Sequence, residues 1–346
     1  MYVVLGVDAG GTSSRAALFT LDGTPVGRGR AGGANPGTLG METACANLTA
    51  AVRAALAEAR SAQVLGVVTG IAGHPEKCAA LTERVLGRLL PGAAPSDRTL
   101  PGHTAGGLPV RSVGDIVTAF AAGTATPSGA VLISGTGAIA AKITSHVAVA
   151  TADGYGWLLG DEGSAFWIGR AAARATIRTI EGSGGGGARG SEGGPLGGES
   201  GFRGGAGGRL VELVVGRLLP DGPGDDPVSL LAATVHARPP LALAELAPLV
   251  SEAAGAGDPL AGSIVAEAAS RLAATASHVR EPGRPLVLAG SVLTSEGPVR
   301  EAVRDLLEGA VTAGDAAGAA AWLAARSFLS PQEAEARHAR FVRPAG

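Results

Sequence analysis

The chain has 346 residues, with 28 Lys and Arg against 30 Asp and Glu, so its formal net charge is −2 at pH 7. This length usually exceeds one compact core, which predicts two lobes with a ligand cleft between them. The basic residues are scattered, and no apolar run approaches the ~18 residues of a membrane span. The N-terminal stretch also lacks a basic leader. We therefore expect a cytoplasmic protein that binds neither nucleic acid nor membrane.

The first part of the chain reads as strands followed by alternating helices and strands. Residues 2–7 form an apolar run, and two further predicted strands are joined by an Asp22-Gly23 turn. Helical spacing between Glu42 and Ala59, the apolar run "VLGVVTGIAG" and the amphipathic run "PEKCAALTERVLGRLL" follow. Residues 129–143 repeat the opening plan of strand, glycine turn and strand. This repetition predicts a duplicated α/β fold.

The first glycine turn lies in "GVDAGGTSS". Gly10 and Gly11 allow the close backbone approach that a phosphate needs, and Thr12 and Ser13 supply hydroxyl and amide donors. Asp8 ends the preceding strand, where it would hold the hydrated Mg²⁺ that neutralises the phosphate. An ordinary hairpin turn is the alternative interpretation.

Two further glycine turns follow buried strands. Gly135, Thr136 and Gly137 form a second donor-rich turn, which could clamp the β- and γ-phosphates of ATP together with the first. Gly290 and Ser291 form a third turn that opens a helix and would seat the nucleoside. Each turn is a weak signal alone, but the three in this order favour an ATP site.

The motifs "GVDAGGT", "GDIVTAFAAGTATPSGAVLISGTG", "GYGWLLGDEGSAFWIG" and "LAGSV" resemble those of the BadF/BadG-type ATPases, which include N-acetylglucosamine kinases and bacterial glucosamine kinases. The resemblance covers residues 4 to 325. It implies the actin-like ATPase fold, with two ribonuclease-H-like lobes, ATP and Mg²⁺ in the cleft and a sugar between the lobes. The boundaries expected for such a chain are an N-terminal lobe over 1–114, a C-terminal lobe over 115–312, a helix over 313–330 that packs back on the N-terminal lobe, and a tail over 331–346.

The resemblance also implies residue roles. Asp115, in "VGDIVTAFAAGT", matches the aspartate that accepts the proton of the sugar 6-hydroxyl, and Asn35, in "GGANPGT", matches an asparagine that binds the sugar. Asp115 also stands where a strand gives way to a helix, so it could be a helix cap. Asn35 could equally belong to an Asn-Pro turn.

The segment "DGYGWLLGDEGSAFWIG" is implied to bind the sugar through Gly154, Tyr155, Asp161 and Glu162. Its glycines let the backbone close around a small polar ring, and its carboxylates can accept hydrogen bonds from hydroxyl groups. Alternatively, Asp161 and Glu162 only place negative charge at the N-terminus of the next helix.

The substrate expected from these residues is glucosamine. N-acetylglucosamine kinases carry Gly-Gly-Trp-Gly-His where this chain has residues 153–157, and the change adds the carboxylate of Asp153, which suits a 2-ammonium group. N-acetylglucosamine is the main alternative, and glucose, a reductase-activating ATPase and a sugar-sensing regulator are less favoured. A homodimer is implied by the resemblance.

Residues 183–207 are rich in glycine and predict a flexible surface loop, or else a substrate lid.

Overall fold

The computed structural model of the chain describes residues 1–59, 61–95, 107–184 and 208–343. Of the predicted loop over 183–207, residues 183–184 end a helix and the rest lie outside the described ranges. The strands are β1 (Tyr2–Ala9), β2 (Ser13–Thr20), β3 (Pro25–Gly32), β4 (Gln63–Ile71), β5 (Ala93–Pro95), β6 (Leu108–Val113), β7 (Gly129–Ser134), β8 (Ala138–Thr144), β9 (Val147–Asp153), β10 (Leu286–Ala289) and β11 (Val311–Thr312).

The α-helices alternate with these strands and also fill the space between β9 and β10. They are α1 (Met41–Ala57), α2 (Pro75–Leu89), α3 (Asp115–Ala121), α4 (Ala165–Gly184), α5 (Arg209–Leu218), α6 (Pro227–His236), α7 (Ala247–Gly255), α8 (Pro259–Ser277), α9 (Ser291–Thr294), α10 (Pro298–Leu306), α11 (Ala316–Ala325) and α12 (Pro331–Val342). Short 3₁₀ helices cover Pro240–Leu246 and Arg326–Phe328. No helix in the described ranges is long and apolar enough to cross a membrane.

The fold contains two sheets of the same plan. The first has six strands in the order β3-β2-β1-β4-β6-β5, and the second has five in the order β11-β10-β7-β8-β9. In each sheet the first three strands in sequence form an antiparallel meander, and later strands join parallel to the first one. This is the ribonuclease-H-like arrangement, so the predicted two-lobed α/β fold is confirmed.

Helix α3 lies between the two sheets. Val117 and Ala121 pack in a core with β1, β4 and α11, whereas Ala119 and Phe120 pack in a core with β7, β8 and β10. Because α3 begins directly after β6, this packing fixes its first residue, Asp115, at the end of the first sheet.

Helix α11 is buried along almost its whole length, which explains a sequence made almost entirely of Ala. It packs on β1 so closely that a Cβ on Gly6 would clash with the backbone of Ala317. Gly6 is therefore required for this contact.

Residues 331–342, expected to be part of a tail, are helical. Ser330 and Glu333 form a capping box, in which the Ser330 hydroxyl accepts from the Glu333 amide and the Glu333 carboxylate accepts from the Ser330 amide. The helix then buries Phe341 against Phe19 of β2, with ring centroids 5.0 Å apart. The capping box and this apolar contact together stabilise the helix, although its mostly polar sequence offers few large apolar residues that would predict it.

Candidate active site

Backbone hydrogen bonds hold the first glycine turn (residues 10–13) in place. The Gly10 amide donates to the Ser13 carbonyl, and the Gly10 carbonyl accepts from the Ala34 amide, both at 2.9 Å. A Cβ built on Gly11 would meet nothing within 4 Å, and the Thr12 side chain is exposed. The turn therefore presents open backbone and a hydroxyl to solvent, as a phosphate-binding turn must.

Asp8 and Asp115 lie close together beside this turn. Asp8 is the last residue but one of β1, and Asp115 begins α3. The strands that lead to them, β1 and β6, run in the same direction in the first sheet. Asp8 Oδ1 accepts a hydrogen bond from Thr118 Oγ1 at 3.2 Å, and Thr118 Oγ1 is 2.9 Å from the Asp115 carbonyl oxygen. Gly70 of β4 leaves the space for the Thr118 side chain, because a Cβ there would clash with it.

Burial changes the acidity of both carboxyl groups. It raises the pKa of Asp8 from 3.8 to about 7, with a further contribution from the negative charge of Asp115. It raises the pKa of Asp115 from 3.8 to about 6, against the opposing hydrogen bond from the Ile116 amide. The helix-cap alternative does not describe Asp115, because the N-cap residue of α3 is Gly114 and the Asp115 carboxylate accepts from its immediate neighbour at 3.0 Å.

The acidic pair fits a divalent cation. Asp8 and Asp115 offer only oxygen ligands, and among charged groups only Arg15 lowers the pKa of Asp8. The described residues contain no group of three or more His, Cys, Asp or Glu side chains arranged for a metal. Mg²⁺ commonly keeps several waters and binds one or two carboxylates together with substrate phosphates, so this donor set suits Mg²⁺.

The second glycine turn (residues 135–137) contacts the third (residues 290–291). A Cβ on Gly290, whose φ is 83°, would clash with the Ser134 carbonyl, and a Cβ on Gly135 would lie 3.8 Å from Ser291 Oγ. The Ala165 amide, at the start of α4, donates to the Gly135 carbonyl at 2.8 Å. These two turns therefore form one surface at the edge of the second sheet.

Asp161 lies beneath the second turn. Its carboxylate is buried and accepts from the Ala138 amide at 3.2 Å, and a Cβ on Gly137 would come within 2.8 Å of its Oδ2. Burial raises the pKa of Asp161. Glu162 instead pairs with Arg271 of α8, whose guanidinium lies over the Trp167 ring. Both carboxylates, expected to contact sugar, thus have partners inside the chain.

The loop over 154–160 is organised by Asp153. Its Oδ1 accepts from the amides of Gly154 and Asp161 at 2.8 and 2.7 Å, and its Oδ2 accepts from the Glu162 amide at 2.8 Å. Gly160 is needed because a Cβ there would clash with the Asp153 carboxylate. The loop exposes Tyr155, which is 68% exposed.

Asn35 lies near Gly73 and Cys78, at the same end of the sheet as Asp115. A Cβ on Gly73 would lie 3.1 Å from Asn35 Oδ1 and 3.4 Å from Cys78 Sγ. Burial raises the pKa of the Cys78 thiol, and the negative charge of Asp115 raises it further. Asn35 Oδ1 accepts from the Gly37 amide at 2.8 Å, so the turn interpretation also holds. Gly73 and Cys78 were not predicted as neighbours of this site. Gly73 closely follows β4 and Cys78 lies in the first turn of α2, and this position was the available signal, because parallel strands end at one edge of a sheet.

Comparison with known proteins agrees with this architecture. A protein from Chromobacterium violaceum, provisionally assigned as an N-acetylglucosamine kinase, superposes with a TM-score of 0.65 at 22% identity, covering 93% of this chain and 98% of its own. A Porphyromonas gingivalis protein with the same provisional assignment gives a TM-score of 0.65 at 20% identity, with 97% and 98% coverage. No curated protein matches the sequence. Residues 5–317 match the BadF/BadG/BcrA/BcrD ATPase family. The chain belongs to this family of ATPases.

Proposed function

We propose that the chain is an ATP-dependent aminosugar kinase, which converts D-glucosamine and ATP to glucosamine 6-phosphate and ADP. The observation that carries this proposal is Asp115, a partly buried carboxyl with a pKa of about 6, beside Asp8 and the first glycine turn. A catalytic base for phosphoryl transfer must be ionised near neutral pH and held where the acceptor hydroxyl binds. A pKa of about 6 meets the first requirement.

In the proposed reaction the oxygen of the sugar 6-hydroxyl forms a bond to the γ-phosphorus of ATP. Its proton passes to the Asp115 carboxylate, the bond from the γ-phosphorus to the bridging oxygen breaks, and ADP leaves. Thr12 and Thr136 donate hydrogen bonds to phosphate oxygens, where negative charge is concentrated. Asp8 would hold Mg²⁺, which when bound supplies positive charge to the phosphates. Asn35 binds a sugar hydroxyl through its side-chain amide.

The choice of glucosamine depends on the carboxylates that remain for an ammonium group. Asp153 accepts three backbone hydrogen bonds and Glu162 pairs with Arg271, so both serve the loop and α8 rather than a ligand. Asp115 remains as the acidic group next to the proposed sugar site. We therefore assign the preference for a cationic sugar to Coulomb attraction by the negative charge of Asp115, whose hydrogen bond is made to the 6-hydroxyl and not to the 2-ammonium group.

N-acetylglucosamine is the second candidate substrate. Two solved structures with the same fold, both provisionally assigned as N-acetylglucosamine kinases, favour it. In addition, the loop over 154–160 exposes Tyr155, Leu158 and Leu159, apolar side chains that could cover an acetyl group.

The test compares ADP release, with product identification, for glucosamine, N-acetylglucosamine and glucose. We expect glucosamine to be preferred about tenfold in kcat/KM, which corresponds to roughly 1.4 kcal/mol. Asp115→Asn should reduce turnover at least ~100-fold while ATP still binds, whereas the control Asp305→Asn, at an exposed position of α10, should leave it unchanged. Full turnover by Asp115→Asn would exclude its role as the base, and a preference for N-acetylglucosamine would favour the second candidate.

A further inference from the structure

Three basic side chains from three different elements lie close to one another near Trp322, away from the glycine turns. Arg326 begins the 3₁₀ helix after α11, and its guanidinium lies 5.2 Å from the centre of the Trp322 ring. His146, in the turn between β8 and β9, has its ring centre 5.6 Å from the same ring. The third is Arg111 of β6, which faces the side of the first sheet that α11 covers. We call these three residues the basic cluster.

The 3₁₀ helix that carries Arg326 lies directly against the neighbouring strands. A Cβ on Gly66 of β4 would be 3.2 Å from the Phe328 ring and 3.8 Å from the Pro109 ring of β6. This contact brings the segment after α11 next to β6. The second glycine turn and His146 stand at opposite ends of β8, so the basic cluster is separate from the proposed active site.

The basic cluster has no negative partner within the described ranges. Neither Arg111 nor Arg326 forms an ion pair with a described carboxylate. Burial lowers the pKa of Arg111, and the positive charge of Arg326 lowers it further. His146 is 2% exposed, and burial followed by the charges of Arg326 and Arg111 lowers its pKa to about 4. Partly buried positive charges without a counter-charge are unfavourable. An anion would relieve this cost.

His146 also leaves a ring nitrogen without a partner. Its Nδ1 lies 3.3 Å from the Pro127 carbonyl oxygen, to which it can only donate, and its Nε2 is buried with no hydrogen-bond partner in the described part of the chain. Trp322 contributes no charge. The other titratable group against its ring, His338 of α12, has its Nε2 2.7 Å from the Ala121 carbonyl oxygen. An anion next to His146 would favour uptake of a proton from solvent at Nε2, and the protonated Nε2 would then donate a hydrogen bond to the anion.

We propose that Arg111, Arg326 and His146 form a binding site for a small oxyanion, either inorganic phosphate or the phosphate group of a sugar phosphate. Guanidinium groups bind such anions through paired, charge-assisted hydrogen bonds, and a protonated imidazole adds a third donor. Because Arg111 and Arg326 belong to the first lobe and His146 to the second, a bound anion joins the two lobes. Anion binding and protonation of His146 strengthen one another, as linkage requires.

The experiment titrates the protein with sulfate, whose charge does not change between about pH 5.5 and about pH 8, the range in which a histidine responds. Thermal unfolding and calorimetry measure binding to the wild type, to Arg326→Gln and to the control Arg53→Gln, which removes an exposed arginine of α1. We expect saturable binding to the wild type and to Arg53→Gln, weakened about tenfold or more by Arg326→Gln. Sulfate bound at the glycine turns, or general stabilisation by excluded sulfate, would persist in Arg326→Gln.

Two further arms complete the test. Sulfate should bind more tightly to the wild type as the pH falls, and this dependence should be lost in His146→Gln. The affinities of inorganic phosphate and of a hexose 6-phosphate are compared at one pH. The ligand that binds more tightly identifies the source of the anion. Equal affinity of Arg326→Gln and Arg53→Gln, or binding that never saturates, would overturn the proposal. Neither readout depends on turnover, so failure here is distinguishable from failure of the kinase proposal.

Discussion

At the level of single residues, the Asp115 carboxylate lowers the stability of the fold. Its pKa is raised from 3.8 to about 6, so the folded state binds the proton more tightly than the unfolded chain. The stabilisation by this proton is complete below about pH 3.8 and is lost as the pH rises through about 6. A tenfold change in proton affinity corresponds to ~1.4 kcal/mol, so ionisation of Asp115 costs about 2 kcal/mol at pH 8 after allowance for its partial exposure.

Asp115→Asn should therefore stabilise the free protein while it reduces turnover at least ~100-fold. We expect its free energy of unfolding to exceed that of the wild type by about 2 kcal/mol at pH 8, with the difference shrinking towards pH 5. Urea unfolding at several pH values, without nucleotide or Mg²⁺, measures this difference. A gain that did not change with pH would mean that ionisation of Asp115 is not its cause.

Thr118 tunes the other carboxyl group. Its hydroxyl donates to Asp8 and lowers the Asp8 pKa, so Thr118→Val should raise that pKa further and weaken Mg²⁺ binding. We expect the Mg²⁺ concentration for half-maximal ADP release to rise several-fold, with a stability loss of about 1 kcal/mol. Thr275→Val, which removes a hydroxyl bonded to a helix carbonyl in α8, is the matched control. An unchanged Mg²⁺ requirement would argue against a metal at Asp8.

At the level of elements, the loop over 154–160 depends on a single side chain. An asparagine at position 153 keeps one oxygen acceptor but turns an amino group towards backbone N–H groups, so part of the set of three hydrogen bonds is lost. Asp153→Asn should cost about 1–3 kcal/mol and accelerate hydrogen exchange at Gly154, Asp161 and Glu162. Hydrogen exchange with mass spectrometry checks this, with Asp305→Asn as the control. Unchanged exchange in this loop would show that the three contacts do not hold it.

The sequence predicts most elements because their signals are local. Alternating apolar runs and glycine turns are enough to identify β1, β7 and β10 and the turns that follow them, and the repeat of this pattern predicts the second lobe. Helix α12 escapes such a prediction although "SPQE" carries a capping-box signature, because its only large apolar residues, Phe341 and Val342, stand at its end.

The side-chain partners of the candidate site could not be predicted in this way. Glu162 pairs with Arg271, which is 109 positions away, and nothing local to "GDEGS" specifies that partner. The sequence suggests Asp153 as a ligand for an ammonium group, yet its backbone partners depend on a loop with positive φ at Gly154 and Gly156. Long-range pairing and loop geometry are decided by the packed fold, whereas Asp8 and Asp115 can be identified because Asp8 lies near the end of a strand and Asp115 begins a helix.

At the level of the whole molecule, α3 couples the two lobes to each other and to the candidate site. On the face of α3 towards the second sheet, Phe120 is fully buried in a core with Val131 and Val287. Asp115 is the first residue of the same helix. Phe341 is equally buried but belongs to the core of the first lobe. Substituting each phenylalanine in turn therefore distinguishes the effect of lost packing within one lobe from the effect of lost contact between the lobes.

Phe120→Ala and Phe341→Ala should each cost about 3–5 kcal/mol, because both remove a fully buried ring. We expect only Phe120→Ala to divide the calorimetric unfolding into two transitions, since it removes contact between α3 and the second sheet. It should also lower kcat at temperatures well below unfolding, because a looser α3 no longer fixes Asp115. If Phe341→Ala produced the same two transitions and the same loss of kcat, coupling would extend through the first lobe rather than through α3.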